Sequence, residues 1–330
     1  MKFIIDCDPG NGVNSADIDD AVAIALAAEA PDVELELVTV VAGNTPLPIG
    51  YSSGRHFMDT YYPSVPVVAG HATPLRGDSG GWRKYLDARR DEPRVQQLWE
   101  GTERAPERPV PVGDDASGRI IQAVRGSDEK PYLFGIGPLT NIASAILRDP
   151  GIVDEVERIV VMGGAFDVPT LPQELNFGQD PEAAHVVLTS GADVLLVPFD
   201  ATARTLFRTA DMDALAQSSK PVARYLASVG RPWLEMTASR YGLDGFNLHD
   251  PLAIAAILDP DIIDTELAQV DVELVGTLTR GRPVRWHRDE MMLWPDLARS
   301  LPDIRPVEIV TQVDNARLVS LLLRTLGAPE

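Results

Sequence analysis

The stretch that decides the fold is Asp6-Cys7-Asp8-Pro9-Gly10, continuing through Asp17-Ile18-Asp19-Asp20 into Ala21-Val22-Ala23-Ile24-Ala25-Leu26-Ala27. The apolar residues 3–5 lead in as a strand, and the alanine-rich run leads out as a buried helix. Five carboxylates within the fifteen residues 6–20 therefore meet at a strand-to-helix junction. Packed together without a cation they would repel one another and take up protons. Helix capping and dipole complementation account for one or two of Asp17, Asp19 and Asp20, but not for Asp6 and Asp8 on the strand side. Hard, oxygen-only ligands of this kind suit Ca²⁺ or Mg²⁺ better than zinc.

Outward from this junction, strands and helices alternate. Strands are expected at 3–6, 35–42, 65–69, 132–136, 158–162 and 193–199, with helices at 19–29, 49–60, 116–125, after Gly137-Pro138-Leu139-Thr140-Asn141, and at 180–190. Uninterrupted apolar strands separated by helices indicate an α/β fold: one large domain, 1–330, with a mostly parallel, Rossmann-like open sheet covered on both faces. Residues 76–113, rich in Arg, Asp, Glu, Pro and Gly with Trp82, Tyr85 and Trp99 among them, read as a partly helical surface excursion rather than an interdomain linker. In His249-Asp250-Pro251, Asp250 is expected at a helix cap and Pro251 at the first helical position. Residues 268–313 alternate like antiparallel edge strands near the C-terminus, and 316–326 read as a closing helix.

Composition bounds the function. The chain has 330 residues, 45% of them hydrophobic, and a formal net charge of −20. That charge argues against nucleic acid as a partner, because phosphate binding needs a basic footprint. No basic surface helix or transmembrane-length run points to a membrane, and no signal peptide is visible, so a cytoplasmic location is expected. The single cysteine, Cys7, excludes an intramolecular disulfide, and its neighbouring aspartates argue against a nucleophilic role.

In an open parallel sheet, ligands bind beyond the carboxyl ends of the strands. Asp6 and Asp8, Gly43-Asn44, Gly137 to Asn141, Met162-Gly163-Gly164 and Asp200 all fall at such ends, while Glu174, Asn176 and His249-Asp250 lie on loops able to close over them. There is no Gly-x-x-x-x-Gly-Lys run, and no Gly-x-Gly-x-x-Gly follows the first strand. Carboxylates and amides with one histidine suit a neutral, polyhydroxylated substrate bridged to a hard cation.

Asp6-Cys7-Asp8-Pro9-Gly10 with Asp19-Asp20 resembles the Asp-x-Asp-Pro-Gly-x-Asp-Asp signature of the calcium-dependent nucleoside hydrolases. Gly43-Asn44-Thr45, Gly137-Pro138-Leu139-Thr140-Asn141, Met162-Gly163-Gly164, Glu174-Leu175-Asn176 with Asp180-Pro181-Glu182, and Leu248-His249-Asp250-Pro251-Leu252 match in the family's order. The resemblance covers nearly the whole chain. It implies hydrolysis of the N-glycosidic bond of a ribonucleoside by Ca²⁺-held water, with inversion, in a homodimer or homotetramer. Asp8 matches the aspartate that ligates Ca²⁺ and takes the proton of the attacking water. Asp20 and Asp250 match further metal ligands, and Thr140 a backbone-carbonyl ligand, with Asp6 behind them. Asp19 and Asn176 match positions that bind the ribose hydroxyls, Glu174 one near the 5′-hydroxyl, and Asn44 one that holds the water or the ribose. His249 matches a candidate acid beside the leaving base; a structural histidine is the alternative. Trp82, Trp233, Tyr241 and Phe246 are candidates for stacking on the base.

Two departures stand out. Where the family has one residue between the Gly and the Asp pair, this chain has eight, 11–18. Asp17 and Asp19 could therefore fill the positions assigned to Asp19 and Asp20, although Asp20 running directly into the helix favours the latter pair. Second, Val168 stands where a 5′-contacting Asn is common, and Gly80-Gly81-Trp82 where pyrimidine-preferring members carry His-Gly. An apolar wall at 166–171 suggests a substrate modified at its 5′ position. Two alternatives remain open: a phosphatase of the haloacid-dehalogenase type, and a Ca²⁺-dependent nucleoside- or sugar-binding protein without turnover.

Overall fold

The computed structural model describes residues 1–288, 296 and 300–329. Among these, the chain runs β1 (Lys2–Cys7), α1 (Asp19–Glu29), β2 (Glu34–Val40), α2 (Leu47–Tyr61) and β3 (Val67–Ala69), then two helices, α3 (Gly80–Arg90) and α4 (Pro93–Leu98). Alternation resumes with α5 (Ala116–Gly126), β4 (Tyr132–Gly135), α6 (Thr140–Arg148), β5 (Arg158–Met162), α7 (Leu175–Gln179), α8 (Pro181–Leu188), β6 (Val194–Val197) and α9 (Phe199–Thr202). The helices α10 (Thr209–Ala216), α11 (Pro221–Tyr241) and α12 (His249–Leu258) follow. The strands β7 (Ile263–Val272), β8 (Pro283–Trp286) and β9 (Val307–Val313) lead to α13 (Asn315–Thr325).

The strands form one nine-stranded sheet in the order β3-β2-β1-β4-β5-β6-β9-β7-β8. From β3 through β9 every pairing is parallel. β7 runs antiparallel to both β9 and β8. Side-chain alternation along β1 builds two cores: Phe3, Ile5 and Cys7 enter the one covered by α1 and α12, and Ile4 enters the one covered by α6 and α8. α1 is apolar on nearly every side, and Ala21 to Ala27 are all buried, as expected of a helix enclosed between sheet and helices. No helix among the described residues is long and apolar enough to cross a membrane.

One expectation is refined and another corrected. The expected antiparallel strands at the C-terminal edge are β7 and β8, but β9, in the same stretch, lies inside the sheet, parallel to β6, with Val307 and Ile309 facing one core and Val310 the other. Most of residues 289–299, within the expected tail, lie outside the described residues. α12 begins at His249, with Leu248 in the cap position, so Asp250 is not the cap. Its carboxylate is thereby left for other work.

The chain steps from β1 to β2 and β3 on one side, then returns to place β4, β5 and β6 on the other. The crevice between the carboxyl ends of β1 and β4 is the topological switch point, where open α/β sheets bind ligands.

Candidate active site

A cavity of about 440 Å³ opens at that crevice. Asp8, Asp17, Asp19, Asn44 and Asp250 form its floor, and Ile136, Met162, Glu174 and Asn176 line the side toward β4 and β5. Trp82, Tyr85 and Arg89 of α3, with Trp233 and Tyr241 of α11, roof it. A larger groove of about 830 Å³ lies between residues 12–14, α2 and 104–109. Its arginines already have partners: Arg108 with Asp59, Arg104 with Asn14, and Arg90 with Asp87. The smaller cavity holds the chemistry.

Asp8 follows β1 and is almost fully buried. Its N–H donates to Asp20 Oδ1 at 2.9 Å, and its Oδ2 accepts the Asn44 N–H at 2.5 Å. A Cβ at Gly43 would lie 1.8 Å from Asp8 Oδ2, and one at Gly137 would lie 2.9 Å from Oδ1. Only glycine lets both strand ends close on this carboxylate. Asn44 also donates through Nδ2 to Asp17 Oδ1 at 3.1 Å, tying the inserted loop to Asp8.

None of Asp17, Asp19 and Asp20 caps α1, whose cap residue Ile18 has no side-chain partner. Instead they offer carboxylate oxygens that all lie within 4.8 Å of one another. Burial pushes the Asp8, Asp19 and Asp250 carboxyls well above the ordinary carboxylate range, and the neighbouring aspartates push them further. Asp20 is raised to about 7 by burial and then by Asp17. Asp6 also rises to about 7 by burial, although its Oδ1 accepts from Thr39 Oγ1 at 2.5 Å and Asn141 Nδ2 at 2.7 Å. Asp6 Oδ2, Asp19 Oδ1 and Asp20 Oδ2 are buried with no hydrogen-bond partner among the described residues. The Asp17, Asp19 and Asp20 carboxylates lie within reach of one ion, and the unpaired buried oxygens of Asp19 and Asp20 fit a hard divalent cation. The residues present therefore suit the group that the acidic pattern implies.

The remaining expected residues divide. Asn176 lines the cavity and donates through Nδ2 to the carbonyls of Ile136 and Met162, each at 3.1 Å. Glu174 lines it too, but its carboxylate caps α7, accepting the N–H groups of Asn176, Phe177 and Gly164. Burial raises its carboxyl, and those three N–H groups oppose the rise. His249 faces the cavity, stacks on Phe199 with ring centroids 5.4 Å apart, and places Nδ1 2.7 Å from Thr202 Oγ1. Burial pushes it down to about 4, so it is neutral near pH 7. Trp82, Trp233 and Tyr241 reach the cavity. Phe246 does not: it is buried against Phe207 with centroids 5.7 Å apart. Thr140 also lies away from the cavity; its hydroxyl donates to Asp180 at 2.7 Å, and the backbone segment that reaches the lining is Ile136. Val168 is not in the lining, whereas Leu171, from the same apolar segment, is.

Sequence reasoning did not single out Arg83 and Arg89. Arg83 donates to the Gly43 and Asn44 carbonyls at 2.8 and 3.3 Å, clamping the loop that holds Asp8. Arg89 bonds the inserted loop at Ser15, through Nε to Oγ and through Nη2 to the carbonyl at 2.7 Å. No motif flags them, because their roles arise only when the excursion folds over the sheet. Within 11–18, Asn11 Nδ2 donates to the Tyr225 hydroxyl at 2.8 Å, and Ser53 Oγ donates to the Asn11 carbonyl at 2.8 Å. The insertion is thus fixed to α2, α3 and α11.

Known proteins resemble the chain over nearly its whole length. The family model described as "Inosine-uridine preferring nucleoside hydrolase" matches residues 3–320. A probable uridine nucleosidase 1 of Oryza sativa subsp. japonica is 32% identical, over 99% of this chain and 97% of its own. The pyrimidine-specific ribonucleoside hydrolase RihB of Escherichia coli is also 32% identical, over 86% of each chain. Among solved structures, a plant nucleoside hydrolase superposes with a TM-score of 0.81 at 28% identity, covering 99% of both chains. A purine-preferring ribonucleoside hydrolase from Gardnerella vaginalis does so with 0.81 at 26%, covering 99% of this chain and 98% of that one.

Proposed function

The chain belongs to the inosine-uridine preferring nucleoside hydrolase family, whose members are metal-dependent N-ribosyl hydrolases, and we propose that it hydrolyses the N-glycosidic bond of ribonucleosides to ribose and free base in the switch-point cavity. The observation that carries this reading is the set of buried carboxylates around Asp8, three of them with oxygens within 4.8 Å of one another, in a cavity also lined by aromatic rings. The whole chain acts as one unit, with residues 76–113 as a cover over the cavity rather than a second domain.

Asp8, Asp20 and Asp250 would hold Ca²⁺, with Asp17 and Asp19 beside them. The backbone carbonyl of Ile136 is better situated than that of Thr140 to complete the set. When bound, the cation would acidify a water and grip the vicinal ribose hydroxyls. Asp8, fixed by the Asn44 N–H, takes the proton of the attacking water. Asp19 and Asn176 orient the ribose. The carboxylates stabilise the oxocarbenium-like charge that develops as the bond to the base breaks, and attack by water from the floor inverts the anomeric carbon. Leu171 and Phe199 give the side near Glu174 an apolar character, compatible with a 5′-modified riboside. His249, neutral and bonded to Thr202, suits an orienting role better than that of an acid at pH 7.

The test is release of reducing sugar from uridine, cytidine, inosine, adenosine and a 5′-deoxy riboside, by wild type and Asp8→Ala. Release from at least one substrate that is abolished in a folded Asp8→Ala supports the reading. No release from any of them, with a divalent cation still bound, would leave the non-catalytic binding protein as the better account.

A further inference from the structure

The cavity has an acidic floor and a single cationic side chain in its roof. Arg89 is the only Arg or Lys among its described lining residues. Its guanidinium carbon stands 5.4 Å from the Tyr85 ring centroid and 5.7 Å from that of Trp233. Two of its three nitrogens are held by Ser15, its charge also acts on the neighbouring Asp17 carboxylate, and no hydrogen-bond acceptor for Nη1 is found among the described residues. Ser15 is the one non-glycine described residue with a positive φ, 65°. Such a backbone is costly for serine and persists only where its surroundings enforce it. The insertion and α3 are therefore locked together at the point where a guanidinium enters the cavity.

We propose that Arg89 stabilises the departing base, an inference that rests on the hydrolase reading above. Water attacks from the floor, where Asp8 lies, so an inverted product requires the base to leave on the opposite side, toward the roof. The bond between the anomeric carbon and the base nitrogen breaks with its electron pair going to the nitrogen. Water forms the new carbon–oxygen bond and gives one proton to Asp8, which later returns it to solvent. The base leaves as an anion paired with the guanidinium and takes its proton from solvent. Arg89 keeps its own protons, since a guanidinium does not act as an acid at physiological pH. Its planar donors match the carbonyl oxygens over which a uracil or hypoxanthine anion spreads its charge. Tyr85 and Trp233 hold the guanidinium plane in place.

The experiment compares uridine, a poor leaving group, with p-nitrophenyl β-D-riboside, whose nitrophenolate leaves without assistance, in wild type, Arg89→Met, Arg89→Lys and Ser15→Ala. Loss of one preorganised donor costs about 100-fold in kcat on uridine. Arg89→Met is expected to show that loss while kcat on the nitrophenyl riboside falls less than about threefold, and Arg89→Lys to recover part of the uridine rate. Ser15→Ala, which removes one latch and keeps the guanidinium, is expected to affect both substrates alike. Equal losses on the two substrates in Arg89→Met and Arg89→Lys would reduce Arg89 to a structural latch and overturn the proposal. If Arg89→Met does not fold, the same ratio in Arg89→Lys decides. Failure of wild type to cleave either substrate would instead overturn the hydrolase reading itself.

Discussion

Removing the divalent cation should make stability fall as pH rises, and the size of the effect follows from the floor of the cavity. Asp20 is pushed from 3.8 to about 7 in the cation-free fold, chiefly by burial. A folded-state pKa above the unfolded one means that the folded chain binds more protons between those values. Its contribution is then fully present below about 3.8 and is lost as pH rises through about 7. At about 1.4 kcal/mol per pH unit, the roughly 1.5 units between pH 5.5 and 7 cost the stripped protein about 2 kcal/mol from Asp20 alone. Asp8, Asp19 and Asp250 shift in the same direction and add to it. A bound cation reverses the sign, because it favours the ionised carboxylates. Urea unfolding at pH 5.5 and 8, in 1 mM Ca²⁺ and in chelator, measures the difference directly. The stabilisation by Ca²⁺ should be at least about 2 kcal/mol larger at pH 8 than at pH 5.5. A stabilisation that is the same at both pH values, or larger at the lower, would refute the reasoning.

Three further outcomes follow. Thr140→Val should lower stability by about 1–2 kcal/mol, through loss of the buried hydrogen bond to Asp180, and leave Ca²⁺ affinity unchanged by calorimetry. An unchanged midpoint of urea unfolding would show that the bond to Asp180 carries no net stability. Phe246→Ala should cost about 3–5 kcal/mol as a core truncation, with KM for uridine unchanged in the folded fraction. A rise in KM at unchanged stability would make Phe246 a base platform after all. Burial holds His249 near 4, below its unfolded value of 6.5, so its share of stability is present above about pH 6.5 and is lost as pH falls toward 4. The kcat/KM profile should accordingly lack a limb near 6.5 that disappears in His249→Gln.

Much of the fold was legible because it rests on local pattern. The apolar run before Asp6 and the alanine-rich run after Asp20 define β1 and α1, and the α1 bounds Asp19–Glu29 agree with the sequence. The antiparallel edge of β7 and β8 was legible as alternation, whereas the place of β9 between β6 and β7 was not, because a strand's partner lies far away in sequence. The acidic floor was visible since its residues cluster in sequence or follow strand ends. The inserted loop hid the placement of Asp17, whose carboxylate lies within 4.8 Å of those of Asp19 and Asp20. The roof was the least legible part. Arg83 and Arg89 sit on a charged amphipathic helix like many others, and their bonds to Asn44 and Ser15 join residues far apart in the chain. Phe246 and Tyr241 are both aromatic residues near one Gly-rich turn, yet one fills the core and the other faces the cavity.

The most direct measurement is a Ca²⁺ titration of chelator-stripped protein, with cation occupancy and uridine hydrolysis followed together in wild type and Asp20→Asn. Turnover should rise in step with occupancy and saturate at one cation per chain, and Asp20→Asn should need far more Ca²⁺ for both. Full turnover in chelator, or occupancy that saturates without any change in rate, would contradict the account of the acidic floor.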